Sequence, residues 1–164
     1  MVIPPLRILL WHKLSHSMKK AVIAIGSLKN RPEKALLEAF YKRLTPPPGM
    51  HEIVPKAQTT SAQEADLIIN LLKPDDHVII LDEKGEVLTT HGFKTYLNQL
   101  EGYNRRCVFV IGGADGLHDK VKQRSNFSIA FGAMTWPHLL VRVLLIEQLY
   151  RCQQIESGHP YHRD

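Results

Sequence analysis

CVFVIGGADGL occupies residues 107–117. Five apolar residues run into a turn with three glycines in five positions. A continuous apolar run of this length, closed by glycine, is expected for a strand buried on both faces, as in a parallel sheet covered by helices. AVIAIG at 21–26, HVIILD at 77–82 and FSIAFG at 127–132 have the same form, and HEIV at 51–54 is a shorter member of the set. The segments between them carry the helical period. Leu36, Leu37, Phe40, Tyr41 and Leu44 share one face after Pro32, a residue suited to a first helical turn. Ser61 with Glu64 forms a capping signature before ADLIINLL. EKGE at 83–86 reads as a turn, and Thr90 as the cap of a helix carrying Phe93, Tyr96, Leu97 and Leu100. GADGL opens a helix to about Arg124, and Pro137 a long last helix to about Ile155. Strands alternating with helices predict an α/β fold: a mostly parallel sheet of about five strands with helices on both faces.

Composition agrees with one ordinary core. The 164 residues are 44% hydrophobic and 23% charged, with a net charge of +5 and nine histidines. A chain of this size buries roughly 70% of its unfolded surface, so no staple is needed. Two cysteines, Cys107 and Cys152, are too few and too far apart for a disulfide framework or a zinc site, and suit a reducing, cytoplasmic setting. The longest apolar run, LLVRVLLI at 139–146, is interrupted by Arg142 and far short of the ~20 residues that cross a membrane. MVIPPLRILLWHKLSHS at 1–17 has no acidic residue and neither structural period. We expect it to be an extension, disordered or a non-native start, with a single domain from 18 to 164.

Ligands of open parallel sheets sit beyond the carboxyl ends of the strands. The turn after the first strand, GSLKN, has one glycine, which weakens a dinucleotide-binding or ordinary Rossmann methyltransferase reading. No G-x-x-x-x-G-K-[ST] is present, which argues against a P-loop. Gly112-Gly113-Ala114-Asp115-Gly116 is the glycine-rich turn, but Ile111 occupies the first glycine position of G-x-G-x-x-G. FGAMTWP after the fifth strand is neutral and suits an apolar pocket whose polar contacts are backbone groups, as an adenine ring would use. Arg142 has only His138, Leu139, Leu145 and Ile146 as helical neighbours. An unpaired buried guanidinium is too costly, so it snorkels out, meets an acid or a subunit, or faces a ligand. Glu147 and Arg151 have the spacing of a helix ion pair. The end, HPYHRD, gathers His159, Tyr161, His162 and Arg163, groups that stack on bases, move protons or bind phosphate. His159 and His162 lack a third ligand, so no metal is expected.

IGGADGL at 111–117, TWPHLLVRVLLIEQLYR at 135–151 and the terminal HPYHRD together resemble the ribosomal RNA large subunit methyltransferase H family. That family is part of the SPOUT superfamily of trefoil-knotted methyltransferases, and the resemblance runs from Met18 to the end. It implies a C-terminal trefoil knot, a homodimer, and S-adenosylmethionine as methyl donor. It further implies methylation of N3 of a pseudouridine in helix 69 of 23S rRNA on the assembled ribosome. Carried over by position, the donor contacts are Leu81, Gly112 and the run Phe131, Gly132, Ala133, Met134, Thr135 and Trp136. Phe131 and Trp136 are bulkier than the family's pattern, and Ala114-Asp115 stands where Pro-Glu is more usual. The resemblance implies a composite site in which one protomer binds the donor and the partner's tail completes the acceptor pocket. Tyr161, His162 and Arg163 are then candidates for orienting the base and easing proton loss, and Arg142 for stabilising the anion or holding a phosphate. A non-catalytic ribosome-binding or assembly factor is the alternative from another class.

Overall fold

The computed structural model describes residues 18–103 and 105–163. Its elements are β1 (Lys20–Ile25), α1 (Pro32–Tyr41), β2 (Gly49–Ile53), α2 (Ser61–Leu71), β3 (His77–Val87), α3 (Thr90–Glu101), β4 (Cys107–Ile111), α4 (Asp119–Arg124), β5 (Phe127–Ala130) and α5 (His138–Glu156). The expected α/β fold is present: five parallel strands in the order β2-β1-β4-β3-β5. The apolar runs that predicted it are fully covered, every residue of β4 being buried.

Strand alternation divides the core in two. Val22, Ala24, Phe109 and Ile111 face one side, where Leu37 of α1, Leu97 of α3 and Leu145 and Ile146 of α5 cover them. Ala21, Ile23, Val108 and Val110 face the other, beneath Ile68 of α2 and Val121 of α4. Side chains of successive strand residues point to opposite faces, so one apolar run serves both layers. Among the described residues no helix is long and apolar enough to cross a membrane.

Several boundaries differ from the sequence reading. The capping box of α2 uses Thr60 and Gln63, one residue before the expected Ser61 and Glu64. Both pairs fit the S/T-x-x-E/Q pattern, so local sequence does not choose between them. Thr89, not Thr90, caps α3. α1 closes at Tyr41, although Leu44 still reaches the core. The glycine turn does not open a helix directly, since α4 begins at Asp119 behind a His118 cap. EKGE is not a turn between elements: β3 continues through it to Val87, with a register shift against β5 between Leu81 and Glu86. The extension expected at 1–17 lies outside the described residues.

Asp76, 4% exposed, anchors the end of the sheet opposite the strand carboxyl ends. It accepts from Arg106 Nε at 2.8 Å and from the Lys73 backbone N–H at 2.7 Å. Burial pulls its pKa up, but the Arg106 hydrogen bonds and charge outweigh burial and leave it below the ordinary carboxylate value. A depressed folded-state pKa gives stability that is present above the unfolded value of about 3.9 and lost as pH falls through the folded one. Asp76→Asn therefore destabilises at neutral pH by about 3 kcal/mol, as for a broken buried pair. Its urea midpoint should also fall less than the wild type's between pH 5 and pH 2. Equal acid sensitivity in the two proteins would put the acid transition elsewhere.

Candidate active site

The arch of β3 after Leu81 and the carboxyl ends of β4 and β5 converge on one cavity of about 350 Å³, within the range of small-molecule sites. Backbone crowding shapes it. A Cβ on Gly112 would lie 2.7 Å from the carbonyl carbon and oxygen of Gly116, so only glycine lets β4 run into its turn here. A Cβ on Gly85 would lie 2.6 Å from the Ile129 carbonyl carbon. Glycine thus lets β3 rejoin β5 after residues 82–85 arch out of the sheet.

The arch is tied down on both sides. Asp82 pairs with Lys122 of α4 at 2.7 Å, and Thr135 Oγ1 donates to Glu83 at 2.8 Å. Burial raises the Asp82 pKa, but Lys122 and the Lys84 N–H outweigh that and the net shift is downward, so the carboxylate stays charged. Trp136 Nε1 donates to the Phe131 carbonyl at 3.1 Å, folding the 131–136 segment onto itself. Leu81, Gly112, Phe131, Gly132, Met134, Thr135 and Trp136 line the cavity, while Ala133 is exposed and outside the lining. The walls combine apolar side chains and strand-end backbone with charged groups, among them Asp82, Glu83, Lys84, Asp115 and Lys122. This surface suits a flat heterocycle held by main-chain groups, with carboxylates in the lining for a cationic or hydroxyl-bearing remainder.

His138 also lines the cavity, and the sequence reading did not single it out. Burial lowers its pKa, and the charges of Arg142 and Arg31 lower it further, so its ring stays neutral at pH 7. Its position in the first turn of α5, directly after the lining segment, was the available signal.

Arg142 is completely buried and meets an acid. Nη1 donates to Glu52 at 3.1 Å, and Nη2 donates to the carbonyls of Gly26, at 2.9 Å, and Ile25. Glu52, absent from the sequence candidates, also accepts from Ser27 Oγ and the Leu28 N–H, each at 2.8 Å. The pair therefore braces the turn that leaves β1. Within one protomer Arg142 presents no surface to an anion. Glu52 lies 90 residues away in sequence, a separation no helical spacing could reveal.

The tail docks elsewhere. Tyr161 donates to Glu147 at 3.0 Å, stacks edge-on against Tyr150 at 4.9 Å, and carries the Arg151 guanidinium 4.8 Å from its ring centre. His162 Nδ1 lies 3.2 Å from Arg151, and its ring packs edge-on against His91 at 5.1 Å. His138 and Glu147 are separated by about 13 Å along the α5 axis. Among the described residues, none of the tail lines the cavity of its own chain. The structure thus brings the donor-type candidates together and keeps Tyr161 and His162 apart from them.

A family model described as "Predicted SPOUT methyltransferase" matches residues 18–162. The chain belongs to the SPOUT methyltransferase family. A ribosomal RNA large subunit methyltransferase H from Rhodopseudomonas palustris is 43% identical over 160 residues, covering 89% of this chain and 99% of its own length. Proteins of the same name from Paramagnetospirillum magneticum and Parasynechococcus marenigrum are 40% and 42% identical. The first alignment covers 89% of this chain and 99% of the relative, the second 87% and 94%. SPOUT membership implies the trefoil knot expected for the C-terminal part.

Proposed function

We propose that this protein transfers the methyl group of S-adenosylmethionine to N3 of a pseudouridine in helix 69 of 23S rRNA. On this reading it acts as a homodimer on the assembled ribosome in the cytoplasm. The observation that carries the reading is the cavity at the β3 arch and the ends of β4 and β5, lined by Leu81, Gly112 and most of the 131–136 run. The apolar part of its lining and the strand-end backbone fit the adenine of the donor, and the Asp82 and Glu83 carboxylates in the same lining suit its charged and hydroxylated parts. The donor supplies an electrophilic methyl on a sulfonium that leaves as a neutral thioether.

The chain's own residues align the reactants. Leu81, Ile111 and Phe131 give the cavity apolar wall, and the arch at 82–85 borders it. N3 of the uracil ring forms the new C–N bond while the C–S bond breaks and its electron pair returns to sulfur. The N3 proton leaves to water. Arg163 and His162 of the partner's tail meet the base and its phosphate, and Tyr161 sets the tail's path. Arg142 contributes by bracing the β1 turn beside His138. Positioning of this kind supplies much of the acceleration in a displacement reaction.

A composite site is supported by the distance between tail and cavity within one protomer, and by a second, apolar cavity. This cavity shares Phe131 and Trp136 with the first and is bounded by Val87, Leu88, Phe93 and Leu144. Val87, Met134 and Trp136 nearby are 62%, 74% and 42% exposed, a patch of the kind that marks an interface. The Thr90–Gln148 hydrogen bond, 3.0 Å, joins this face to the tail cluster.

Mass spectrometry of large-subunit rRNA from cells lacking the protein should show loss of one methyl on that pseudouridine. Purified protein, S-adenosylmethionine and those ribosomes should restore it. Intact methylation in the deletion strain refutes the assignment, and failure of the protein to bind S-adenosylmethionine in calorimetry favours an assembly factor.

A further inference from the structure

We propose that Glu147 and Arg151 are positioning residues that hold His162 with its imidazole proton on Nε2, so that the tail presents a hydrogen-bond donor to the uracil ring. The inference rests on the composite-site reading and specifies what His162 does there.

A guanidinium has five N–H donors and no acceptor. Arg151 Nη1 lies 3.2 Å from His162 Nδ1, so the arginine donates and Nδ1 accepts. A neutral imidazole with Nδ1 accepting carries its hydrogen on Nε2. The partner that sets the tautomer is itself locked. Arg151 donates to Glu147 through Nε at 2.9 Å and through Nη2 at 2.5 Å, a fork that fixes the guanidinium plane. The same carboxylate accepts from Gln148 Nε2 at 2.8 Å and from Tyr161 at 3.0 Å. The Tyr161 hydroxyl therefore donates its hydrogen bond to Glu147. Burial, and then that bond, push its pKa up, so it remains protonated and serves placement rather than proton removal. Tyr161 and His162 are thus both oriented from one carboxylate on α5.

The chemistry suits a donor. Losing the N3 proton spreads negative charge over the ring nitrogen and its two flanking carbonyl oxygens. A fixed Nε2–H aimed at one of those oxygens stabilises the charge as it develops, without reorganisation at the moment of reaction. In this tautomer Nε2 has no lone pair with which to act as the base, consistent with release of the proton to water.

The substitution that separates donor from base is His162→Gln. Its amide places an N–H near the position of Nε2 but has no basic nitrogen. Single-turnover methylation of ribosomes from the deletion strain, with donor affinity by calorimetry, should show a loss of about 100-fold for His162→Ala, the size expected for one oxyanion donor. For His162→Gln the loss should be about tenfold or less. Arg151→Met should fall with His162→Ala, Arg151→Lys should recover part of the rate, and donor affinity should stay at the wild-type value throughout. His162→Gln as inactive as His162→Ala, or Arg151→Met as fast as wild type, overturns the proposal. Full activity of His162→Ala overturns it by removing the tail from the site. Absence of methylation by the wild-type protein is a separate result, which sinks the reaction itself.

Discussion

Removing residues 159–164 should leave S-adenosylmethionine affinity within about twofold of wild type and lower methyl transfer by at least ~1,000-fold. That magnitude is one donor's contribution combined with lost orientation of the acceptor. The expectation follows from geometry. The donor-type cavity is lined by Leu81, Gly112 and most of the 131–136 run, with no described tail residue among them. The tail packs against Tyr150, Glu147, Arg151 and His91. What truncation removes from its own protomer is the set of ring contacts and hydrogen bonds that Tyr161 and His162 make with α5 and His91. The fold should therefore survive with a lowered melting temperature.

Mixing sharpens the result. A heterodimer of the truncated chain with a chain carrying Gly112→Val has one intact cavity, on the truncated protomer, and one intact tail, on the other. The valine cannot fit, because even a Cβ would lie 2.7 Å from Gly116 backbone atoms. If tails serve the partner's cavity, the mixture regains about half the activity per dimer although each parent is inactive. An inactive mixture with confirmed heterodimers would mean that each tail serves its own cavity, against the distance along α5.

How much of this was legible follows from the range of each interaction. The strands were readable because burial on both faces leaves uninterrupted runs such as CVFVI, and the cavity's place followed from where a parallel sheet ends. The arch at 82–85 was not, because a bulge and a turn have the same local composition. Only the contact of Gly85 with the Ile129 backbone distinguishes them. The tail's residue types were visible in HPYHRD, but the Glu147 carboxylate that orients them looked like an ordinary i, i+4 partner of Arg151. Its second use, by Tyr161, depends on the chain turning back after Ser157. Arg142 posed the question that sequence could not close. It required a partner, and the partner, Glu52, came from β2.

That partnership predicts the largest loss of stability. Arg142→Ala should destabilise the protein by about 3–5 kcal/mol, the range for breaking a buried ion pair from one side. The carbonyls of Ile25 and Gly26 lose their donor, Glu52 loses its cation, and a guanidinium-sized void opens between β1 and α5. Arg142→Met separates these effects. It refills most of the volume but supplies no donor, so it should remain destabilised by roughly 1–3 kcal/mol for the buried acceptors it orphans. Urea unfolding of the three proteins checks the order. If Arg142→Met equals wild type, packing alone explains the residue. The functional consequence runs through the turn that Arg142 braces. A Cβ added to Gly26 would sit 3.4 Å from Arg142 Nη2 and 3.7 Å from His138 Nε2, so both side chains border this turn. His138 in turn lines the cavity. Loosening the turn should therefore weaken transfer in protein that is still folded at low temperature. Transfer at the wild-type rate in folded Arg142→Met would confine the residue to stability.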